Sequence, residues 1–196
     1  MKFWQFTILA ILSLSTLMAQ EKPKFSWEPL AIRKSIFSQD LVMLDSERDE
    51  YASNLAAYAA NQISESGASI ASVSHGRKVL ALAMQLSPRN KQALVTQFQL
   101  GKGIVPEKTA SDYSPQVFAR LLLTRGQLLL QQPKGENHLL AHYLIQLAAE
   151  FDPRNEDAVY ASELIRLDNG PPDWSKLAGE EPKQQPAPPE SPLPAE

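Results

Sequence analysis

Cysteine is absent from all 196 residues, and that absence removes several chemistries at once. There is no thiol nucleophile, no thiolate metal site and no attachment through a lipidated N-terminal cysteine. There is no disulfide framework either, but a chain of this length buries enough surface to stand without one. No Asn-x-Ser/Thr acceptor occurs, which points to a bacterial source rather than a eukaryotic secretory one. Basic charge is not in excess: 19 Lys and Arg face 22 Asp and Glu, for a net charge of -3. That balance argues against nucleic acid or an anionic membrane surface as the partner. No phosphate loop, dinucleotide fingerprint or nucleophile elbow is present. No catalytic, cofactor-binding or metal-binding residue is assigned, and no cofactor is expected.

What the chain does have begins at its first residues. Lys2 supplies a positive start, and Phe6 to Met18 is an apolar run broken only by Thr7, Ser13, Ser15 and Thr16. Leu17-Met18-Ala19 then places a small residue at a cleavage position before Gln20-Glu21-Lys22. This order predicts a secretory signal over residues 1–19. The run is short for a bilayer span, and an uncleaved membrane anchor is the alternative. Either outcome places the domain in the periplasm or outside the cell. Residues 20–44 read as an irregular segment in which Leu30, Ile32, Ile36 and Phe37 pack onto the domain edge. Trp27 reads as a packing anchor.

From Asp45 the apolar spacing is helical. Tyr51, Leu55, Tyr58, Ala59 and Ile63 mark a first helix ending near Ser66-Gly67, with Ser46 and Asp49 resembling a capping box. A second starts at Ser69–Ser72 and stops at Pro88, because proline disfavours helix in the residue before it. Asn90 caps a third, closed by Gly101 and Gly103. Residues 103–113 are a linker. Ser114-Pro115 opens a fourth helix, with a hydroxyl cap and a proline where its missing N–H costs nothing. Pro133-Lys134-Gly135 ends it. Asn137 is expected to cap a fifth helix, Pro153 to end it and Asn155 to cap a sixth. The fold class is therefore all-α, with about six helices over residues 45–177. Residues 178–196 are rich in Pro, Gln and Glu and are expected to be disordered.

The most specific feature is internal. Ser87-Pro88-Arg89-Asn90-Lys91-Gln92-Ala93-Leu94 matches Asp152-Pro153-Arg154-Asn155-Glu156-Asp157-Ala158-Val159 at an offset of 65 residues. Upstream, Gly76, Leu80, Ala83 and Leu86 match Ala141, Ile145, Ala148 and Phe151. The pattern Gly76, Leu80, Ala83, Pro88, repeated as Ala141, Ile145, Ala148, Pro153, resembles the second helix and closing turn of a tetratricopeptide repeat. Small residues there let two helices of a hairpin approach closely, and the proline turns the chain into the next helix. The family period is about 34 residues, so the offset is near two units. The family's first-helix signature, an aromatic, then Leu-Gly, then Tyr, is poor in both copies. The resemblance covers roughly residues 50–168 and implies stacked helical hairpins, each copy followed by a further helix. It also implies a non-enzymatic surface for an unidentified protein or peptide partner.

Other constellations carry less. His138 and His142 are four apart on a predicted helix, a spacing compatible with zinc, but Leu139-Leu140-Ala141 lacks a metalloprotease base. A metal-dependent exported enzyme acting through these two residues is the alternative function. Glu47, Asp49 and Glu50 sit where carboxylates favour a helix start. Arg89 and Arg154 recur in the two turns. The leucines at 121–123 and 128–130 predict a buried central helix, or else a patch for self-association into a homo-oligomer.

Overall fold

The computed structural model describes residues 25–179. The expected signal segment and most of the proline-rich tail lie outside them. Among the described residues the fold is all-α, with seven helices and no strand: α1 (Asp45–Glu65), α2 (Ile70–Leu86), α3 (Lys91–Gly101), α4 (Pro115–Leu130), α5 (Glu136–Phe151), α6 (Glu156–Asn169) and α7 (Ser175–Ala178). No helix among them is long and apolar enough to cross a membrane.

The helices form two units of three. In each, two long helices make a tight antiparallel hairpin and a third leans on it: α1 with α2 then α3, and α4 with α5 then α6. The 65-residue match has a literal counterpart in hydrogen bonds. Asn90 N–H donates to Ser87 O at 3.0 Å, and Asn155 N–H to Asp152 O at 3.0 Å. Asn90 Oδ1 then accepts from Ala93 N–H at 3.0 Å, and Asn155 Oδ1 from Ala158 N–H at 3.2 Å. The same turn, closed by the same cap, launches both third helices.

Close approach within each hairpin depends on a glycine. A Cβ on Gly76 of α2 would lie 2.6 Å from Ile63 Cδ1 of α1. In the second unit the glycine is on the other helix: a Cβ on Gly126 of α4 would lie 2.5 Å from Ile145 Cγ1 of α5. The small-against-large contact is kept while its polarity is exchanged.

The units meet through their hairpins. Tyr58 of α1 stacks on Phe151 of α5, ring centroids 3.6 Å apart, and Tyr51 of α1 lies 5.9 Å from Phe118 of α4. The third helices lie outside this contact. On α1, Asp49 binds the Asn90 cap of α3. Nine residues on, about two and a half helical turns, Tyr58 faces the second unit. On α5, His142 lines a cleft against α6, and nine residues on Phe151 faces α1. The layers therefore run α3, α1–α2, α4–α5, α6, with single helices at the two outer faces. The linker carries the chain back across α1. Asn61 Nδ2 donates to Thr109 O at 2.9 Å, and Thr109 N–H returns a bond to Asn61 Oδ1 at 2.8 Å.

The irregular N-terminal segment is a strap across both units. Leu30, Phe37, Leu41 and Met43 are buried. Ile36 N–H donates to Gln85 Oε1 of α2 at 2.9 Å, and Ser38 N–H to Glu136 Oε2 of α5 at 2.7 Å. Buried Arg48 donates to Ser38 O, Leu41 O and Met43 O, so one guanidinium satisfies three carbonyls of a segment that has no secondary structure of its own.

Three local expectations change. Helix α1 starts at Asp45 with no side-chain cap bond, so Ser46 and Asp49 form no capping box. Asp49 is instead turned to α3, where its carboxylate accepts from Ser87 and Asn90. Asn137 does not cap α5; it lies inside the helix, buried, and accepts from Val42 N–H at 2.9 Å. The cap position is Gly135 at φ 102, a conformation that favours glycine. Finally, Leu177 and Ala178 are buried in α7, which packs on α2. Gln85 Nε2 donates to Leu177 O at 2.8 Å, so the folded part reaches past residue 177.

Candidate interaction surface

Helix α6 is amphipathic on weak terms, since Ala158 is its one buried residue. It rests on α5 and meets α4 only briefly. The opening this leaves between α4 and α6 is a groove of about 820 Å³. Arg120, Leu123, Thr124 and Gln127 form the α4 wall, and Tyr160, Ala161 and Leu164 the α6 wall. Asp152, Asn155 and Asp157 close one end. Tyr160 is 67% exposed, Leu164 43% and Leu167 72%. Their spacing of four and then three residues keeps them on one side of the helix, so they form a stripe. The groove thus combines apolar contact, amide and hydroxyl hydrogen-bonding groups and charge of both signs, the chemistry of a polypeptide-binding surface.

A second cleft, of about 450 Å³, opens where the linker meets α1 and α4. Tyr58, Tyr113, Phe118 and Phe151 form its aromatic floor. Tyr58 has its phenol pushed up to about 12, first by burial and then by Glu150 and Glu65. It keeps its proton across the physiological range and offers a hydrogen bond rather than a base. Behind it, His75 Nδ1 lies 3.4 Å from Glu150 Oε2. Burial lowers the His75 pKa, Glu150 opposes that, and Lys78 adds to the lowering.

The sequence constellations are dispersed. Glu47 pairs with Arg125 at 2.7 Å, Asp49 holds the start of α3, and Glu50 accepts from Tyr113 Oη at 2.8 Å. Three carboxylates that crowd one stretch of sequence serve three different contacts. His138 Nε2 lies 3.0 Å from the Gln132 carbonyl oxygen, and His142 lines the α5–α6 cleft. Among the described residues no group of three His, Cys, Asp or Glu side chains is placed to hold a metal ion. Arg89 and Arg154 are exposed at equivalent turns. The leucine run is largely core: Leu122, Leu123 and Leu129 are buried, while Leu128 is 45% exposed.

Two structural features escape a reading of the sequence. The α4–α6 groove depends on how α6 leans, which periodicity does not encode. Gly126 sits inside the leucine-rich stretch, and its approach to Ile145 is set by the packing of α4 on α5.

No protein-family model matches this chain, and neither any curated protein nor any solved structure matches it.

Proposed function

We propose that the protein is an exported, non-enzymatic interaction module of the tetratricopeptide-like kind, serving as a scaffold in the periplasm or outside the cell. Its binding surface is the groove between α4 and α6, and its partner is a protein segment. The observation that carries this reading is the α6 stripe: Tyr160, Leu164 and Leu167 stand exposed beside a groove of about 820 Å³. A helix that contributes one buried alanine to its own domain has its larger apolar side chains free for another surface. Export is supported by the order of positive, apolar and small residues at the N-terminus. The repeat reading is supported by the duplicated Pro-Arg-Asn turn.

The test is gentle crosslinking of the purified protein in envelope extracts. The wild type is expected to retain a defined partner, and the Tyr160→Ala, Leu164→Ser double variant to lose it. Leu128→Ser, exposed but outside the groove, is the control and should behave as wild type. Equal retention by all three proteins, or by none, refutes the groove as the binding site.

A further inference from the structure

The two outer helices hold equivalent places in the repeat, yet their outward faces carry opposite charge. On the α3 side, Lys91, Leu94, Val95, Phe98 and Lys102 share one face, and all are exposed. Phe98 is 64% exposed, with Lys102 Nζ 5.6 Å from its ring centroid. Helix α3 contains no acidic residue. Helix α6 has four carboxylates, Glu156, Asp157, Glu163 and Asp168, against one arginine, Arg166, which is tied to Glu163. On its outward side Asp157 and Asp168 bracket Tyr160, Leu164 and Leu167.

The brackets match in length. Lys91 and Lys102 are eleven residues apart, and so are Asp157 and Asp168. Each stripe therefore spans roughly 16 Å at 1.5 Å per residue, with apolar side chains between two like charges. One stripe is basic at its ends and the other acidic. An end helix of a repeat stack ordinarily shows a polar face to solvent; here both ends show apolar ones.

We infer that the partner of the α4–α6 groove is a second copy of this chain, which presents its α3 face. The inference rests on the reading of that groove as the binding surface. Leu94, Val95 and Phe98 enter beside Tyr160 and Leu164, in the manner of an amphipathic helix in a groove. Lys91 and Lys102 meet the two aspartates, which sets register. Because α3 and α6 lie on opposite outer faces, each copy keeps one free end when it docks. Association is then head to tail and continues beyond a dimer.

The experiment is sedimentation velocity on the protein as cells process it from the full-length chain, over a wide concentration range, at roughly 0.05 M and roughly 0.5 M salt. The wild type is expected to grow in mass with concentration, in more than one step, and to shrink at high salt. Lys91→Glu with Lys102→Glu, and separately Asp157→Lys with Asp168→Lys, each put like charges across the contact and should weaken association by at least about tenfold. Mixing the two variants should restore it, since every acidic stripe then finds a basic one. All four positions are exposed, so circular dichroism should show both variants folded.

A wild type that stays a single copy throughout overturns the inference, as does self-association that persists in both charge variants or a mixture that stays dissociated. Retention of a different protein, lost on Tyr160→Ala with Leu164→Ser, would keep the groove as a binding surface even where self-association fails. Loss of neither would sink both readings.

Discussion

Asn90 and Asn155 start equivalent helices with the same cap, and replacing each by alanine should have unequal consequences. Asn155 is half-buried and supplies its cap bond to Ala158 N–H. Losing such a cap costs about 1 kcal/mol. Asn90 supplies the same cap but is buried, and its Nδ2 donates to Asp49 O at 3.2 Å, Asp49 Oδ1 at 3.0 Å and Ser53 Oγ at 2.7 Å. Alanine there removes the cap and also the bonds Asn90 donates to the exposed Asp49 and to Ser53, at a further cost of about 1–3 kcal/mol. The expected totals are about 1 kcal/mol for Asn155→Ala and about 2–4 kcal/mol for Asn90→Ala. In a folded part of about 150 residues, 1 kcal/mol moves the melting temperature by roughly 2–4 °C. Thermal melts followed by circular dichroism should therefore separate the two variants by several degrees.

Aspartate sharpens the comparison. Asn155→Asp keeps the cap and adds a charge favourable to the helix start, so its melt should stay near wild type. Asn90→Asp keeps the cap, removes all three donated bonds and sets a carboxylate against Asp49. It should be at least as damaging as Asn90→Ala. Equal shifts for the two alanine variants, or a wild-type melt for Asn90→Asp, would show that α3 is not held by this network.

Gly126→Ala should destabilise, because an overpacking cost of about 1–3 kcal/mol exceeds the helix propensity alanine gains at either glycine: the new Cβ meets Ile145 Cγ1 at 2.5 Å and the Ala141 carbonyl oxygen at 3.2 Å. Gly76→Ala meets first the far end of Ile63, which can turn away, and alanine gains about 1 kcal/mol of helix propensity. Its urea midpoint should stay close to wild type, and equal midpoints for the two variants would refute the distinction. His75 gives a pH prediction with a definite sign. Its folded pKa is lowered from 6.5, mainly by burial, so the unfolded chain takes up the proton first as pH falls. The stability it contributes is present above pH 6.5 and declines below it, towards the folded pKa. The wild-type melting temperature should fall on going from pH 7.5 to 5, and His75→Gln should flatten that fall. His142, also lowered by burial and by His138, adds to the fall in the same direction; an unchanged slope in His75→Gln would remove His75 from the account.

The parts of this fold that were legible in the sequence are the local ones. Asn90, Ser114 and Asn155 each cap the helix expected of them, and the second helix starts within the expected Ser69–Ser72 stretch with Ser69 as its cap, because a cap is decided within four residues. The Pro-Arg-Asn turn was legible for the same reason. Asn137 and Asp49 were misread because a distant partner outcompetes the local role: the strap claims Asn137 and α3 claims Asp49. The strap itself has no periodicity, since long-range polar bonds from Gln85, Glu136 and Arg48 hold it. The layer order depends on where Tyr58 and Phe151 find each other, a choice between faces that the apolar pattern leaves open. The candidate surface was legible only as far as the existence of the sixth helix, without the groove beside it.

The two third helices show which positions the fold constrains and which it leaves open. Their inward residues are equivalent and small at the same point: Ala93 and Ala158 are both fully buried. Their caps and turns are the same. Outside that shared frame they part. Helix α3 is pinned through Asn90 to α1 and through Gln97, which donates to Leu30 O of the strap. Helix α6 lacks comparable anchors on its α4 side, and the groove is the result. Solvent-facing positions of this kind add little to stability whatever occupies them, so packing does not explain a basic apolar stripe on one helix and an acidic one on its equivalent. A surface that has to be recognised by another surface does explain it, because recognition is where charge sign and register carry weight.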